Sequence, residues 1–223
     1  MLKVLITGTS QGIGKATAEC FLNKGMYVIG VDTQLANIQH ENYLHYNEDI
    51  AQIPELGLKY NLTDLSYVVH NAGIQLGENV VKTNLLDTMK LDAYIRQLNP
   101  QLKAITFNTS ISGFYGDEFP EYVASKAGLN GYVKYVAKQV MPNCIANAVC
   151  FGGVLTELNK PVMQDKDLWE KIMKVNPLKR WATAEEAADW IYFVTVVNKF
   201  ATGQLFEVDG GENSCPASTF VWV

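Results

Sequence analysis

The sequence predicts an α/β fold in which a doubly wound parallel sheet of about seven strands carries helices on both faces. Three observations predict it. Short apolar runs rich in β-branched residues alternate with longer helical stretches along the chain, the pattern that builds parallel sheets through right-handed crossovers. A glycine-rich turn, Gly8-Thr-Ser-Gln-Gly12-Ile-Gly14, separates the first apolar run from the first helical stretch. Later runs close on small or polar residues, at Asn71-Ala-Gly73, Ser110 and Asp209-Gly-Gly211, where strand ends can approach a ligand closely.

Leu2 to Thr7 reads as a buried strand, and Lys15 to Lys24 as the helix that follows the turn. Glycines at that junction let the backbone turn tightly and approach a pyrophosphate lying on the helix N-terminus. The spacing is G-x-x-x-G-x-G. It is not a triphosphate-binding loop, because Thr9 and Ala16 stand where Gly and Ser or Thr are needed. Met26 to Val31 reads as the second strand, and it ends in Asp32. A carboxylate there accepts hydrogen bonds from an adenosine ribose diol and repels a 2′-phosphate. Gln11 and Thr33 offer no cation to receive such a phosphate, so NAD(H) is favoured over NADP(H).

Asn42 to Asn47 is expected as a third strand and Leu65 to His70 as a fourth, with a turn at Asn47 to Ile50 between them. A helix is expected over Asn79 to Gln97, with Val80, Asn84, Leu85, Thr88 and Leu91 at helical spacing. Leu102 to Phe107 reads as the fifth strand and delivers Asn108-Thr-Ser110-Ile-Ser112-Gly113. A loop over Phe114 to Glu121 then leads into a helix opening with Tyr122, where Ala124, Ala127 and Gly128 allow close packing. Cys144 to Cys150 is the sixth strand. A lid-like excursion at about 155–176 follows, and then an amphipathic helix with Ala184, Ala187, Ala188, Ile191 and Val194 on one face. Gly203 to Val208 is the last strand. No linker or repeat divides residues 1–223, so one domain is expected.

The net charge of −5 is spread without a basic run, which argues against nucleic acid as partner. The longest apolar run, Trp190 to Val197, is too short to span a bilayer. The opening residues read directly as a strand, so a cytoplasmic protein without a signal peptide is expected. Cys20, Cys144, Cys150 and Cys215 show no metal-ligand spacing, and no metal is expected.

Tyr122-Val-Ala-Ser-Lys126 carries the chemistry. In a helix, positions i and i+4 share a face, which puts the Lys126 ammonium beside the Tyr122 phenol. A cation about 4 Å away at an effective dielectric of about 20 is worth roughly 4 kcal/mol, or about three pKa units of help for the phenolate. A tyrosine so placed is expected to act as general acid or base near neutrality.

Together these pieces resemble the short-chain dehydrogenase/reductase family, a single-domain Rossmann-type fold. The matching elements are TGTSQGIG at 7–14, Asp32, HNAG at 70–73, Asn84, NTSISG at 108–113, YVASK at 122–126, GGVLT at 152–156 and DGG at 209–211. The resemblance implies an NAD(H)-dependent oxidoreductase that interconverts an alcohol and a ketone or aldehyde by hydride transfer, a carbonyl reductase in the reducing direction. It implies Tyr122 as acid/base and Lys126 as the residue that lowers the phenol's pKa and holds the nicotinamide ribose. Ser110 would hydrogen-bond the substrate oxygen, with Ser112 as the alternative serine. Asn84 would kink its helix and hold a water in a proton relay. The cofactor would be held by Gly8, Ser10, Gln11, Gly12, Ile13, Gly14, Asp32, Asn71, Ala72, Gly73, Tyr122, Lys126, Gly152, Val154 and Thr156.

Four departures accompany the resemblance. His70 replaces the commoner Asn, and Phe151 stands where Pro is usual. Ser110 lies one residue nearer the tyrosine than is common, and the segment between Asp32 and Leu65 is short. Phe114, Tyr115, Phe119, Leu158, Met163, Trp169 and Met173 would wall the substrate site, which suits a carbonyl with an apolar body. Asp117, Glu118 and Glu121 near the mouth disfavour a highly anionic substrate. The apolar tail Phe220 to Val223 implies a homo-oligomer, a tetramer or dimer. Two other functions stay open: a catalytically idle NAD(H)-binding sensor or scaffold, and a dehydratase or epimerase on the same fold.

Overall fold

The fold is described for residues 1–213 of a computed structural model. Cys215 and the tail Phe220 to Val223, on which the oligomer expectation rests, lie outside the described residues.

Seven parallel strands form one sheet in the order β3-β2-β1-β4-β5-β6-β7. The strands are β1 (Lys3–Thr7), β2 (Tyr27–Asp32), β3 (Tyr43–Asn47), β4 (Tyr67–His70), β5 (Ala104–Ser110), β6 (Ile145–Phe151) and β7 (Leu205–Val208). The order reverses between β1 and β4, so the carboxyl ends of those two strands open a crevice. All seven expected strands form, with ends shifted by a residue or more. Phe151 keeps the backbone N–H that proline lacks, and β6 runs on through it, paired with Val208.

Helices cover both faces. Among the described residues the α-helices are α1 (Gly12–Asn23), α2 (Ile53–Leu56), α3 (Thr88–Leu98), α4 (Ser112–Tyr115), α5 (Pro120–Val140), α6 (Lys160–Gln164), α7 (Lys166–Val175) and α8 (Ala184–Tyr192). One apolar cluster joins Leu5, Val68, Ile105 and Ala148 to Leu91, Ile95, Leu129 and Val133 of α3 and α5. A second joins Val4, Ile6, Val69 and Val149 to Phe21, Ala187 and Ile191 of α1 and α8. The sheet is thus apolar on both faces, as its nearly continuous hydrophobic strands require.

The structure corrects several expected boundaries. The helix bearing Tyr122 starts at Pro120, where the fixed φ of proline is already helical. The expected loop at 114–121 begins instead with α4. The helix expected over 79–97 is a π-helical turn, Lys82–Asp87, running into α3. The excursion after β6 is a 3₁₀ turn at Glu157–Asn159 followed by α6 and α7, neither of which buries a residue. Gly128 packs on Leu85, but Ala124 and Ala127 are exposed. No helix among the described residues is long and apolar enough to cross a membrane.

Candidate active site

The crevice begins at the β1–α1 turn. Gly8 and Gly12 have φ of 75° and 53°, open to glycine at little cost, and a Cβ on Gly14 would collide with the Gly8 carbonyl oxygen. Gln11 gives the N-terminus of α1 no side-chain cap. Asp165 and Thr183, by contrast, cap α7 and α8 with their own oxygens. The first-turn amides at Gly12, Ile13 and Gly14 are thus left for an anion, and they fit a pyrophosphate. Asp32 closes β2 nearby, its two carboxylate oxygens accepting from the Ser10 and Gln34 backbone N–H groups, each at 2.9 Å. Ser10 Oγ donates to the Gln34 carbonyl at 3.3 Å. The residues named from the sequence therefore form a cradle suited to the phosphates and ribose of a dinucleotide.

At the end of β4, Asn71 is a structural stitch. Its Nδ2 donates to the Thr7 and Gly8 carbonyls at 2.9 and 3.2 Å, and its Oδ1 accepts from Asn108 Nδ2 at 2.7 Å. The amides of Asn71 and Ala72 both donate to the Thr7 hydroxyl. Gly73 lies against Asn84: a Cβ there would come within 3.1 Å of Asn84 Oδ1 and 3.8 Å of Lys126 Nζ.

Asn84 lies in the π-helical turn, 1% exposed. Its Nδ2 donates to the Ile74 carbonyl at 2.8 Å and to the Ser125 hydroxyl at 3.1 Å, and its Oδ1 accepts from Ile74 N at 2.8 Å. Both amide protons are committed, so the side chain shapes the turn and has no donor left for a water. On α5, Lys126 is buried, donates from Nζ to the Asn108 carbonyl at 3.1 Å, and lies 5.4 Å from the Tyr122 ring centroid. Ser110 Oγ donates to Ser112 Oγ at 3.0 Å and accepts from Ser112 N at 3.1 Å. Among the influences on the Tyr122 phenol, the Ser110 hydroxyl is the one that favours the phenolate, and Ser112 bonds Ser110 directly.

The electrostatics correct the expectation of a lowered phenol pKa. Burial pushes Tyr122 well above its ordinary value, and the Glu118 carboxylate adds to the rise. Burial also pushes Lys126 down, to about 8. Desolvation is the largest influence on both groups, although Tyr122 as a residue is only half-buried.

Gly152 packs on Asp209 and Gly153 on the Trp181 indole, each too closely for a side chain. The Val154 side chain is core, packed with Phe151 and Ala187. Its carbonyl accepts from Asn159 Nδ2 at 2.8 Å, leaving only backbone to face the crevice. Thr156 stands against Gly12. Phe114, Tyr115, Phe119 and Leu158 are exposed, and Trp169 of α7 meets Trp181 edge to face at 4.9 Å. Among the described residues no group of three or more His, Cys, Asp or Glu is placed to hold a metal ion.

Sequence reasoning missed Asn108, which bonds both Asn71 and Lys126 from inside the quoted NTSISG stretch. It also missed Gln75, whose Nε2 donates to Glu118 Oε2 at 2.8 Å. His70, which replaces the commoner Asn, is buried and faces Asp92 Oδ1 at 3.3 Å, while Asp92 Oδ2 accepts from Arg96 and Tyr132.

A family model described as enoyl-(acyl carrier protein) reductase matches residues 8–213. A 3-oxoacyl-[acyl-carrier-protein] reductase of Aquifex aeolicus is 30% identical over 226 residues, covering 93% of this chain and 86% of the relative. Carbonyl reductase family member 4 of Xenopus laevis is 28% identical over 233 residues, covering 92% and 95%. Among solved structures, 4-hydroxyisoleucine dehydrogenase complexed with NADH superposes with a TM-score of 0.87 at 26% identity, over 96% of this chain and 99% of that one.

Proposed function

The chain belongs to the short-chain dehydrogenase/reductase family of oxidoreductases, and from that premise we propose that it interconverts an alcohol and a ketone or aldehyde with NAD(H), using Tyr122 as general acid/base. The observation that carries this reading is the convergence of Tyr122, Lys126 and Ser110 beside the Asn84 turn, where Lys126 Nζ lies 5.4 Å from the Tyr122 ring centroid. The bound nicotinamide would supply or accept the hydride.

In reduction, the Tyr122 phenol donates its proton to the substrate carbonyl oxygen and is left as phenolate. Ser110 donates a hydrogen bond to the same oxygen as negative charge develops there. Lys126, whose pKa burial lowers to about 8, would reprotonate the phenolate and hold the nicotinamide ribose. Oxidation runs the same proton backwards. Asn84 is a positioning residue, because it fixes Ile74 and Ser125 on either side of the pair. Gly8 to Gly14 would cradle the pyrophosphate and Asp32 the adenosine ribose. Gly152, Val154 and Thr156 would meet the carboxamide through their backbone.

NAD(H) is preferred on the charge of Asp32, and a neighbour of the same fold is solved with NADH. The relatives named for 3-oxoacyl thioesters and the relative named as a carbonyl reductase put β-ketoacyl thioesters and simple ketones first among substrates. A homo-oligomer belongs to the same reading.

The test is loss of reduced-nicotinamide absorbance against ketones, aldehydes and β-ketoacyl thioesters, with NADH and NADPH run side by side. Faster turnover with NADH supports the reading. A preference for NADPH overturns the role given to Asp32. Tight NADH binding without turnover favours a sensor.

A further inference from the structure

Glu118 stands four residues before Tyr122, in the segment between α4 and α5, and its φ is 94°. A glutamate rarely takes that backbone conformation, and such outliers persist where the surroundings over-determine them. Its side chain is exposed but held, with Gln75 donating from Nε2 to Glu118 Oε2 at 2.8 Å. Gln75 directly follows Ile74, whose backbone N–H and carbonyl are both held by Asn84. The carboxylate is therefore hung between the end of β4 and the start of α5. Tyr115, on the other side of the same segment, donates to Glu207 Oε2 at 2.7 Å, so the segment is tied at both flanks.

The charge is felt inside the site. Glu118 acts on the Tyr122 phenol and on Lys126. Burial raises the pKa of Glu212, and Asp209, Asp117 and Glu118 raise it further, so the charges pressing on Glu212 are carboxylates too.

We propose that Glu118 is a specificity-determining residue of this site: held beside Tyr122 by Gln75, its carboxylate admits neutral and cationic carbonyl or alcohol substrates and turns away those carrying an anionic group near the reacting carbon. The proposal rests on the assignment of Tyr122 as the acid/base. A fixed charge about 8 Å from a substrate charge, at an effective dielectric of about 20 and ordinary ionic strength, changes selectivity roughly three- to tenfold.

Three ketones of similar size test it: acetoacetate, its neutral methyl ester, and the (2-oxopropyl)trimethylammonium cation. We expect the unaltered chain to rank them by kcat/KM as cation, ester, then anion once each is referred to its chemical reactivity, with the spread narrowing as salt is added. Glu118→Gln should lower the ester-to-acetoacetate ratio three- to tenfold, and Glu118→Lys should invert the order of the two charged probes. A structural role for Glu118 would move all three probes together, and unchanged ratios in both variants overturn the proposal. Turnover of none of the three by the unaltered chain, with NADH or NADPH, overturns the reading of Tyr122 and this proposal with it.

Discussion

Asn84 Nδ2 donates to the Ser125 hydroxyl at 3.1 Å, which ties the π-helical turn to α5 one residue before Lys126. The same side chain closes two bonds on Ile74, so a single buried amide sets the distance between the β4 end and the helix bearing Tyr122. Asn84→Ala leaves the half-buried Ile74 backbone without its partners, at a cost of about 1–3 kcal/mol. Urea unfolding should report that loss, and turnover should fall more than tenfold while Tyr122 and Lys126 are intact.

Asp32 accepts from two backbone amides through separate oxygens, which fixes its carboxylate at the β2 end. Asp32→Ser removes the charge that would oppose a 2′-phosphate. The ratio of kcat/KM for NADH over NADPH should fall about 10- to 100-fold in that variant; an unchanged ratio would place discrimination elsewhere.

Burial of Lys126 makes its ammonium a stability cost that depends on pH. The folded value is about 8 against 10.5 for the free group, so the folded chain binds that proton less readily than the unfolded one. The cost is fully present below about pH 8 and is relieved as pH rises towards 10.5. A gap of 10.5 − 8 corresponds to about 3 kcal/mol at most, less what the Asn108 carbonyl loses with its partner. Lys126→Met should therefore be about 1–3 kcal/mol more stable than the parent at pH 7, nearly inactive, and progressively less advantaged above about pH 8. Urea melts at several pH values check the sign.

Asp92 offers the opposite sign. Burial alone would raise its carboxyl, but His70, Arg96 and Tyr132 together bring it below the ordinary value of 3.8. Its contribution to stability is present above that value and is lost as pH falls through the lowered one. Asp92→Asn leaves buried donors poorly matched and should cost about 3 kcal/mol at pH 7. Its stability should also fall less steeply with acid than the parent's, in denaturant titrations run below pH 4.

Much of this is legible in the amino-acid sequence. Gly8, Gly12 and Gly14 announced a tight turn because only that backbone needs glycine at those places, and the apolar runs announced buried strands by their length. The π-helical turn at Lys82–Asp87 was not legible, since Val80, Asn84, Leu91 and Ile95 are buried on one side whichever hydrogen-bond ladder links them. The 3₁₀ turn at Gly57–Lys59 carries no period to read. Spacing predicted that Tyr122 and Lys126 would meet, and they do. It did not predict that burial would raise the phenol and lower the ammonium, because desolvation depends on chain segments far apart in sequence. The partner of His70 was hidden for the same reason, since Asp92 arrives from α3.

The central claim is that Tyr122 moves the proton. Tyr122→Phe removes one hydroxyl from a half-buried residue and keeps the ring, so the variant should fold as the parent does. Its NADH dissociation constant by fluorescence titration and its steady-state turnover of a ketone substrate should be measured on the same preparation. We expect NADH binding within about threefold of the parent and turnover lower by about 10²–10⁴. Turnover within tenfold of the parent, with NADH binding preserved, would contradict the account.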